Sequence, residues 1–391
     1  MNKRVGVIGG GQLAWMMGME APKLNIDLIV QASSQDEPAL SRAERVVLGE
    51  VDDANATAEL ATLCDVITFE NEFINLPALQ KLLPTANFRP SLDALTPLLD
   101  KYHQRNFLQN IDLPVPKFDL RLSQKDLIAN YGFPVVLKAC RHGYDGQGTF
   151  IVENASALAT LSQRIPIAEL LVEEFIPFER ELGIIAARNV AGEIAVYPVT
   201  ETRQKNQVCH WTITPADVNE RVKREVNAIA RKILEELKVV GVFGIEFFLT
   251  TDDGVLVNEI APRTHNSGHY TLDACETSQF AMQLRAVTDL PLGSTALKSA
   301  GAVMVNLLGF EESNSDYQQK RERILAIPHS FVHWYGKTSR PGRKLGHVTV
   351  LLHSERLTAA QKIIDQIESI WYGESAIDNH TNQITDNYSS I

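Results

Sequence analysis

The sequence predicts a mixed α/β protein of two or three domains, opening with a parallel sheet. Three observations carry this prediction. The chain has 391 residues, and domains run to roughly 150 residues each. Over the first hundred residues short apolar runs alternate with helical patterns, as in βαβ units. From about residue 134 strand-like runs dominate, so later parts read as α+β.

In order, RVGVIG (4–9), IDLIV (26–30) and DVITF (65–69) are the first strands, with helical patterns at about 12–21 and 54–63 between them. Segments 91–98 and 100–110 read as helices. Leu113-Pro114-Val115-Pro116 reads as an extended linker, because the residue before a proline is pushed out of the helical region. A domain boundary therefore falls between about 95 and 115. Ser123-x-x-Asp126 opens a short helix with a capping-box-like start. PVVLKAC (134–140), a glycine-rich loop, TFIVE (149–153), a helix and LLVEEFI (170–176) follow. The runs LGIIAAR (182–188), EIAVYPVT (193–200) and VCHWTIT (208–214) are strands, and an amphipathic helix covers roughly 216–238. A hairpin pattern at 241–260 leads to a helix at about 271–287, and Leu290-Pro291-Leu292-Gly293 is a second punctuation. The segment 300–373 mixes two strands (302–309 and 347–353) with a helix near 358–370. The polar stretch 373–391 lacks periodicity and is expected to be disordered.

Composition narrows the function. Lys plus Arg is 37 against 48 for Asp plus Glu, a net charge of −11, which argues against a broad nucleic-acid face but leaves room for a local basic pocket. No run of about 20 apolar residues is long enough to span a membrane. Lys3-Arg4 before an apolar stretch imitates a signal peptide, but Gln12 and the three glycines interrupt it. The four cysteines (64, 140, 209 and 275) form no C-x-x-C pair and read as reduced thiols, so a cytoplasmic protein is expected.

Several motifs carry chemistry. Gly9-Gly10-Gly11-Gln12-Leu13-Ala14 lies between a strand and a helix, where free amides could cradle a phosphate. The acidic residue that dinucleotide binding wants at the end of the second strand is absent, since Gln31 stands there. Lys138 ends an apolar strand and is followed by Arg141-His142-Gly143-Tyr144-Asp145-Gly146-Gln147-Gly148. That loop is either a mobile, amide-rich flap over phosphates or a plain turn built on Asp145-Gly146. In GIEFFLTTDDGVLVNEI, a four-residue loop would place Glu246 directly opposite Glu259. Two facing carboxylates in apolar strands want a cation, and hard oxygen donors suit magnesium. An odd register would instead send them to opposite faces. Arg263 could hold an anion, while His265 and His269 are either acid–base groups or hydrogen-bonded loop residues. Lys337, Arg340, Arg343 and Lys344 form either a pocket for a phosphorylated substrate or a solvated basic turn.

These motifs, in this order, resemble the ATP-grasp superfamily and, within it, the 5-(carboxyamino)imidazole ribonucleotide synthases of purine biosynthesis. The carriers are VGVIGGGQL, TFENE (68–72), LKACRHGYDGQG, VEEFI with ERE (172–181), YPVTET (197–202), GVFGIEFF, VNEIAPRTHNSGHYT and HWYGKTSRPGRKLGH. The resemblance implies an ATP-grasp fold with a Rossmann-like pre-ATP-grasp domain (1–100). The ATP-grasp domain would span 101–295, with lobes at about 115–176 and 177–295, before a small C-terminal domain (296–372). It implies ATP-dependent carboxylation of aminoimidazole ribonucleotide with bicarbonate, through carboxyphosphate, by a homodimer. The nearest alternative is another ATP-grasp ligase, such as a formate-dependent glycinamide ribonucleotide transformylase. A nicotinamide-dependent oxidoreductase leaves the glutamate pair unexplained.

Residue by residue, the resemblance implies that Lys101, Lys138 and the loop Gly143, Tyr144, Asp145, Gly146, Gln147, Gly148 and Thr149 meet the ATP phosphates. Glu173, Glu174, Phe175 and Ile176 would meet the adenine, and Glu181 the ribose. Gln204 would also meet ATP, though bacterial relatives commonly have His there. Glu246 and Glu259, with Asn258, would hold Mg2+. Gly11, Gln12, Leu13, Glu70 or Glu72, Asn266, Ser267, Lys337, Arg343 and Lys344 would hold the ribonucleotide. Arg263, His265, Lys344, Tyr144 and Asp145 would form the reaction centre.

Overall fold

The structure, a computed structural model, describes residues 2–141, 148–205, 207–353 and 357–373. The predicted flap positions Gly143 to Gln147 and the tail after Gly373 lie outside the described residues.

Strands β1 (Lys3–Ile8), β2 (Ile26–Ala32), β3 (Arg45–Leu48) and β4 (Val66–Phe69) form a parallel sheet in the order β3-β2-β1-β4. Val5, Val7 and Ile8 are fully buried, as expected for a strand covered on both faces. The helices Gln12–Glu20 and Ala54–Leu63 supply the crossovers. β3 had not been expected, because it is a short edge strand with exposed Val46 and Leu48.

A second, antiparallel sheet holds β5 (Phe118–Leu120), β6 (Val135–Ala139), β7 (Thr149–Val152) and β8 (Leu170–Glu174) in the order β5-β8-β6-β7. The capping start holds: Ser123 accepts from the Asp126 amide, and its hydroxyl meets the Asp126 carboxylate.

The third sheet has nine strands among the described residues. It comprises β9 (Phe178–Arg188), β10 (Ile194–Val196), β11 (Thr200–Lys205), β12 (Val208–Thr214), β13 (Gly241–Thr250), β14 (Val255–Ala261), β15 (Gly301–Leu308), β16 (Ser330–Trp334) and β17 (Lys344–Leu352). Their order is β14-β13-β9-β11-β12-β15-β17-β16, with β10 beside β9. The strands of the expected small C-terminal domain continue the large sheet through the β12–β15 ladder. They also pack back on the first domain, where Tyr335 meets Trp15 edge-on and Lys337 reaches Gln12.

The run EIAVYPVT divides in two because Pro198 has no N–H to give a ladder. β11 was hidden by its polar composition, although Thr200 and Thr202 are buried. The Glu220–Leu237 helix starts four residues later than its pattern, at an Asn219 cap. The helix expected over 271–287 is broken into Thr271–Ala274 and Gln279–Val287, the second capped by Ser278. Its buried face packs Phe280, Leu284 and Val287 into the first domain's core. No helix among the described residues is long and apolar enough to cross a membrane.

Candidate active site

The cleft is assembled from three places. The Lys101–Asn110 helix presents Lys101, β6 presents Lys138, and the β13–β14 hairpin presents Glu246 and Glu259. The helix is docked by Gln104, whose side-chain amide exchanges two hydrogen bonds with the Ile260 backbone (2.8 and 3.0 Å). It thereby acts as a short extra strand on the edge of β14 and fixes Lys101 beside Glu259.

The glutamate pair forms for a reason the loop length did not show. Near the turn Leu249 faces Val255 and Phe247 faces Val257, a register that would set Glu246 against Asn258. A β-bulge between Glu246 and Phe247 adds one residue to β14, and Glu246 then faces Glu259. The bulge also brings Asn258 into the site, where its Oδ1 accepts from Lys138 Nζ at 3.2 Å.

The electrostatics of the pair are asymmetric. Burial, then Glu259 and then Glu181, pushes the Glu246 carboxyl up to about 8. Burial pushes Glu259 the same way, but Lys101, 2.9 Å away, and Lys138 outweigh it and hold that carboxylate below its ordinary value. Gln204 Nε2 and His265 Nε2 approach Glu246 Oε1 at 3.4 and 3.6 Å. Two opposed carboxylates, one paying a penalty for its charge, fit a divalent cation. Among the described residues no three His, Cys, Asp or Glu side chains converge, so further ligands would come from the substrate and solvent.

Lys138 is buried and belongs to a cluster that sequence reading missed. Glu173 sits between Arg105, whose Nε is 2.6 Å from Oε1, and Lys138, whose Nζ is 2.7 Å from Oε2. Burial raises the Glu173 carboxyl, yet the two cations bring it down to about 2. Its side chain is 2% exposed, and its two oxygens are held by Arg105 and Lys138. The signal available was Arg105 four residues after Lys101, one turn along the same helix face. Glu181, on β9, is raised to about 7 by burial, with Arg203 opposing.

The glycine turn is not an open phosphate cradle. Gly11 and Leu13 amides donate to the two oxygens of Glu70 (2.5 and 2.9 Å), and the Gly10 amide donates to Glu37. Carboxylates occupy the anion position at this helix start, so an incoming phosphate would meet like charge. A side chain at Gly11 would also place its Cβ 2.4 Å from Glu70. Burial pushes the Glu70 carboxyl up against those two donated bonds.

Glu72 grips Arg263 by two bonds, at 2.6 and 3.1 Å. This joins the carboxyl end of the first sheet to the loop after β14. That loop is held by Gln279, fully buried, which bonds both the amide and the carbonyl of His265. Ser267, expected at the substrate, is 1% exposed, and its hydroxyl meets His265 Nδ1 at 2.9 Å. Both polar atoms of the Asn266 side chain are buried without a partner among the described residues. Arg343, expected at the substrate, donates to the Thr338 carbonyl in its own loop. Lys344 lies close enough to Glu246 to lower its pKa, and Lys337 bonds Gln12.

Comparison with known proteins shows what the chain is similar to. Three domain profiles match: a ribonucleotide synthetase preATP-grasp domain over residues 1–97, an ATP-grasp domain over 106–280 and a phosphoribosylaminoimidazole carboxylase C-terminal domain over 302–361. The N5-carboxyaminoimidazole ribonucleotide synthase of Synechocystis sp. is 53% identical over 382 residues, covering 94% of this chain and 98% of that protein. The chain belongs to the N5-carboxyaminoimidazole ribonucleotide synthase family. A solved synthetase of this family, from Thermotoga maritima, is 38% identical with a TM-score of 0.84, covering 94% of this chain and 98% of that one. The Aspergillus clavatus synthase in complex with ADP and 5-aminoimidazole ribonucleotide is 29% identical with a TM-score of 0.86, at the same coverage. The synthase fold thus extends over the first sheet, the ATP-grasp lobes and the C-terminal strands alike.

Proposed function

We propose that the chain uses ATP to carboxylate 5-aminoimidazole ribonucleotide with bicarbonate, giving the N5-carboxyamino product, ADP and phosphate. The convergence of Lys101, Lys138, Glu246 and Glu259 on one cleft, tied to the first domain through Arg263 and Glu72, carries this reading. Lys101, Lys138, Gly148 and Thr149 take the phosphates, together with Gly143, Tyr144, Asp145, Gly146 and Gln147. Glu174, Phe175 and Ile176 border the adenine, and Glu181 and Gln204 lie along the nucleotide.

Glu246 and Glu259, with Asn258 beside them, would hold Mg2+, which when bound neutralises phosphate charge. Arg263 and His265 hold the bicarbonate-derived anion, and closure of the loop shields carboxyphosphate from water. Gln12, Leu13 and Glu70 then accept the ribose side of the ribonucleotide at the carboxyl end of the first sheet, where ligands of open parallel sheets sit. Its phosphate is left to Lys337 and Lys344. Tyr144, Asp145 and Lys344 complete the reaction centre, which works in a cytoplasmic homodimer; sedimentation checks the dimer.

The deciding experiment is ADP release with magnesium-ATP and bicarbonate, with and without aminoimidazole ribonucleotide. Strong stimulation with consumption of the ribonucleotide is expected. Stimulation instead by glycinamide ribonucleotide with formate would keep the fold and overturn the substrate.

A further inference from the structure

We propose that Arg105 is a positioning residue that keeps the charge of Lys138 available to the phosphates of ATP. The inference rests on the reading that Lys138 faces those phosphates, and it adds a residue that touches no ligand.

The argument is one of charge and geometry. Arg105 is 3% exposed and Glu173 2%, while Lys138 is 10% exposed. Arg105 therefore lies behind the carboxylate and Lys138 in front of it. With both cations in place the cluster carries one net positive charge, and Lys138 Nζ shares its bonds between Glu173 and Asn258 Oδ1. Without Arg105, the buried Glu173 charge would have Lys138 as its remaining ion-pair partner. The lysine would then be neutralised by its own neighbour, and the cluster would have no net charge to offer. A buried Glu–Lys pair also resists separation, because parting the two leaves each charge uncompensated in a poorly solvated place. Arg105 satisfies Oε1 and leaves Lys138 with only one carboxylate oxygen to serve.

The position of Arg105 follows from the same helix. Lys101 and Arg105 stand one turn apart, a spacing at which like charges repel. Each is offset by a separate carboxylate, Glu259 for Lys101 and Glu173 for Arg105. One helix, docked by Gln104, thus sets both phosphate-facing lysines: Lys101 directly and Lys138 through Glu173.

The test measures affinities of AMP, ADP and ATP, each with magnesium, by calorimetry on the full chain. Arg105→Met is expected to lose tenfold or more for ATP while AMP changes less than about twofold, because only the added phosphates meet Lys138. The double variant Arg105→Met/Glu173→Gln removes the trapped carboxylate as well as the guanidinium. It leaves Lys138 as the cluster's one charge, held by Asn258 Oδ1 with no carboxylate to neutralise it, and is expected to return ATP affinity to within about threefold of wild type. An equal loss for all three nucleotides in Arg105→Met would overturn the proposal. So would a double variant that binds ATP as weakly as the single one, or, where the single variant does not fold, a folded double variant more than tenfold weaker than wild type for ATP. Wild-type protein that binds none of the nucleotides would instead remove the reading of the cleft itself.

Discussion

Replacing Glu246 by Gln should stabilise the metal-free protein while removing its magnesium-dependent activity. The unfolded chain gives up this proton near 4.5, whereas the folded chain holds it until about 8. Across that window the folded state binds the extra proton, so the contribution of Glu246 to stability falls as pH rises. The whole interval corresponds to about 5 kcal/mol at about 1.4 kcal/mol per pH unit. Burial is the largest cause, followed by Glu259 and Glu181, while Lys101 and Lys344 oppose. Gln keeps the shape and removes the titration. The stability gap between variant and wild type should therefore widen by about 3 kcal/mol between pH 5.5 and pH 8.5. Calorimetric unfolding in a chelator gives the comparison, and acids that do not interact with Glu246 cancel because both proteins carry them. Adding magnesium-ATP should stabilise the wild type much more than the variant. Parallel pH curves for the two proteins would refute the reasoning, since the carboxyl would then titrate alike in both states.

Three further outcomes are expected. Glu259→Ala should abolish ATP turnover with secondary structure intact, and phosphate release at the wild-type rate would sink the metal assignment. Arg263→Ala should lose carboxylation far more than ATP affinity, which single-turnover assays and nucleotide titration separate; an unchanged carboxylation rate would refute its role. Gln104→Leu removes both bonds to the Ile260 backbone and strands a buried N–H and C=O. It should cost about 2–4 kcal/mol of stability and weaken ATP binding by displacing Lys101, a pairing of effects that denaturation and titration on one preparation would reveal.

Much of this protein is legible in its sequence wherever a local pattern has one physical outcome. Buried parallel strands read as apolar runs, Ser123 and Asp126 announce a helix start, and the paired glutamates sit in strands that could not bury them unaccompanied. The motifs from NEIAPRTHNSGH to RPGRKLGH indicated the family before any fold was seen. Strands β3 and β11 escaped because an exposed edge and a threonine-lined strand lack the apolar alternation that marks strands.

Tertiary structure decided the rest, since it depends on partners far along the chain. Glu246 faces Glu259 through a bulge at Asn258, which loop length does not encode. The glycine turn has the sequence of a phosphate cradle, yet Glu70, 59 residues after Gly11, supplies the anion first. The ion pairing of Glu173 is not legible locally, since Arg105 stands 68 residues earlier. Helices and strands follow from neighbours within a few residues, whereas the charge a buried group carries follows from every ion the fold brings beside it.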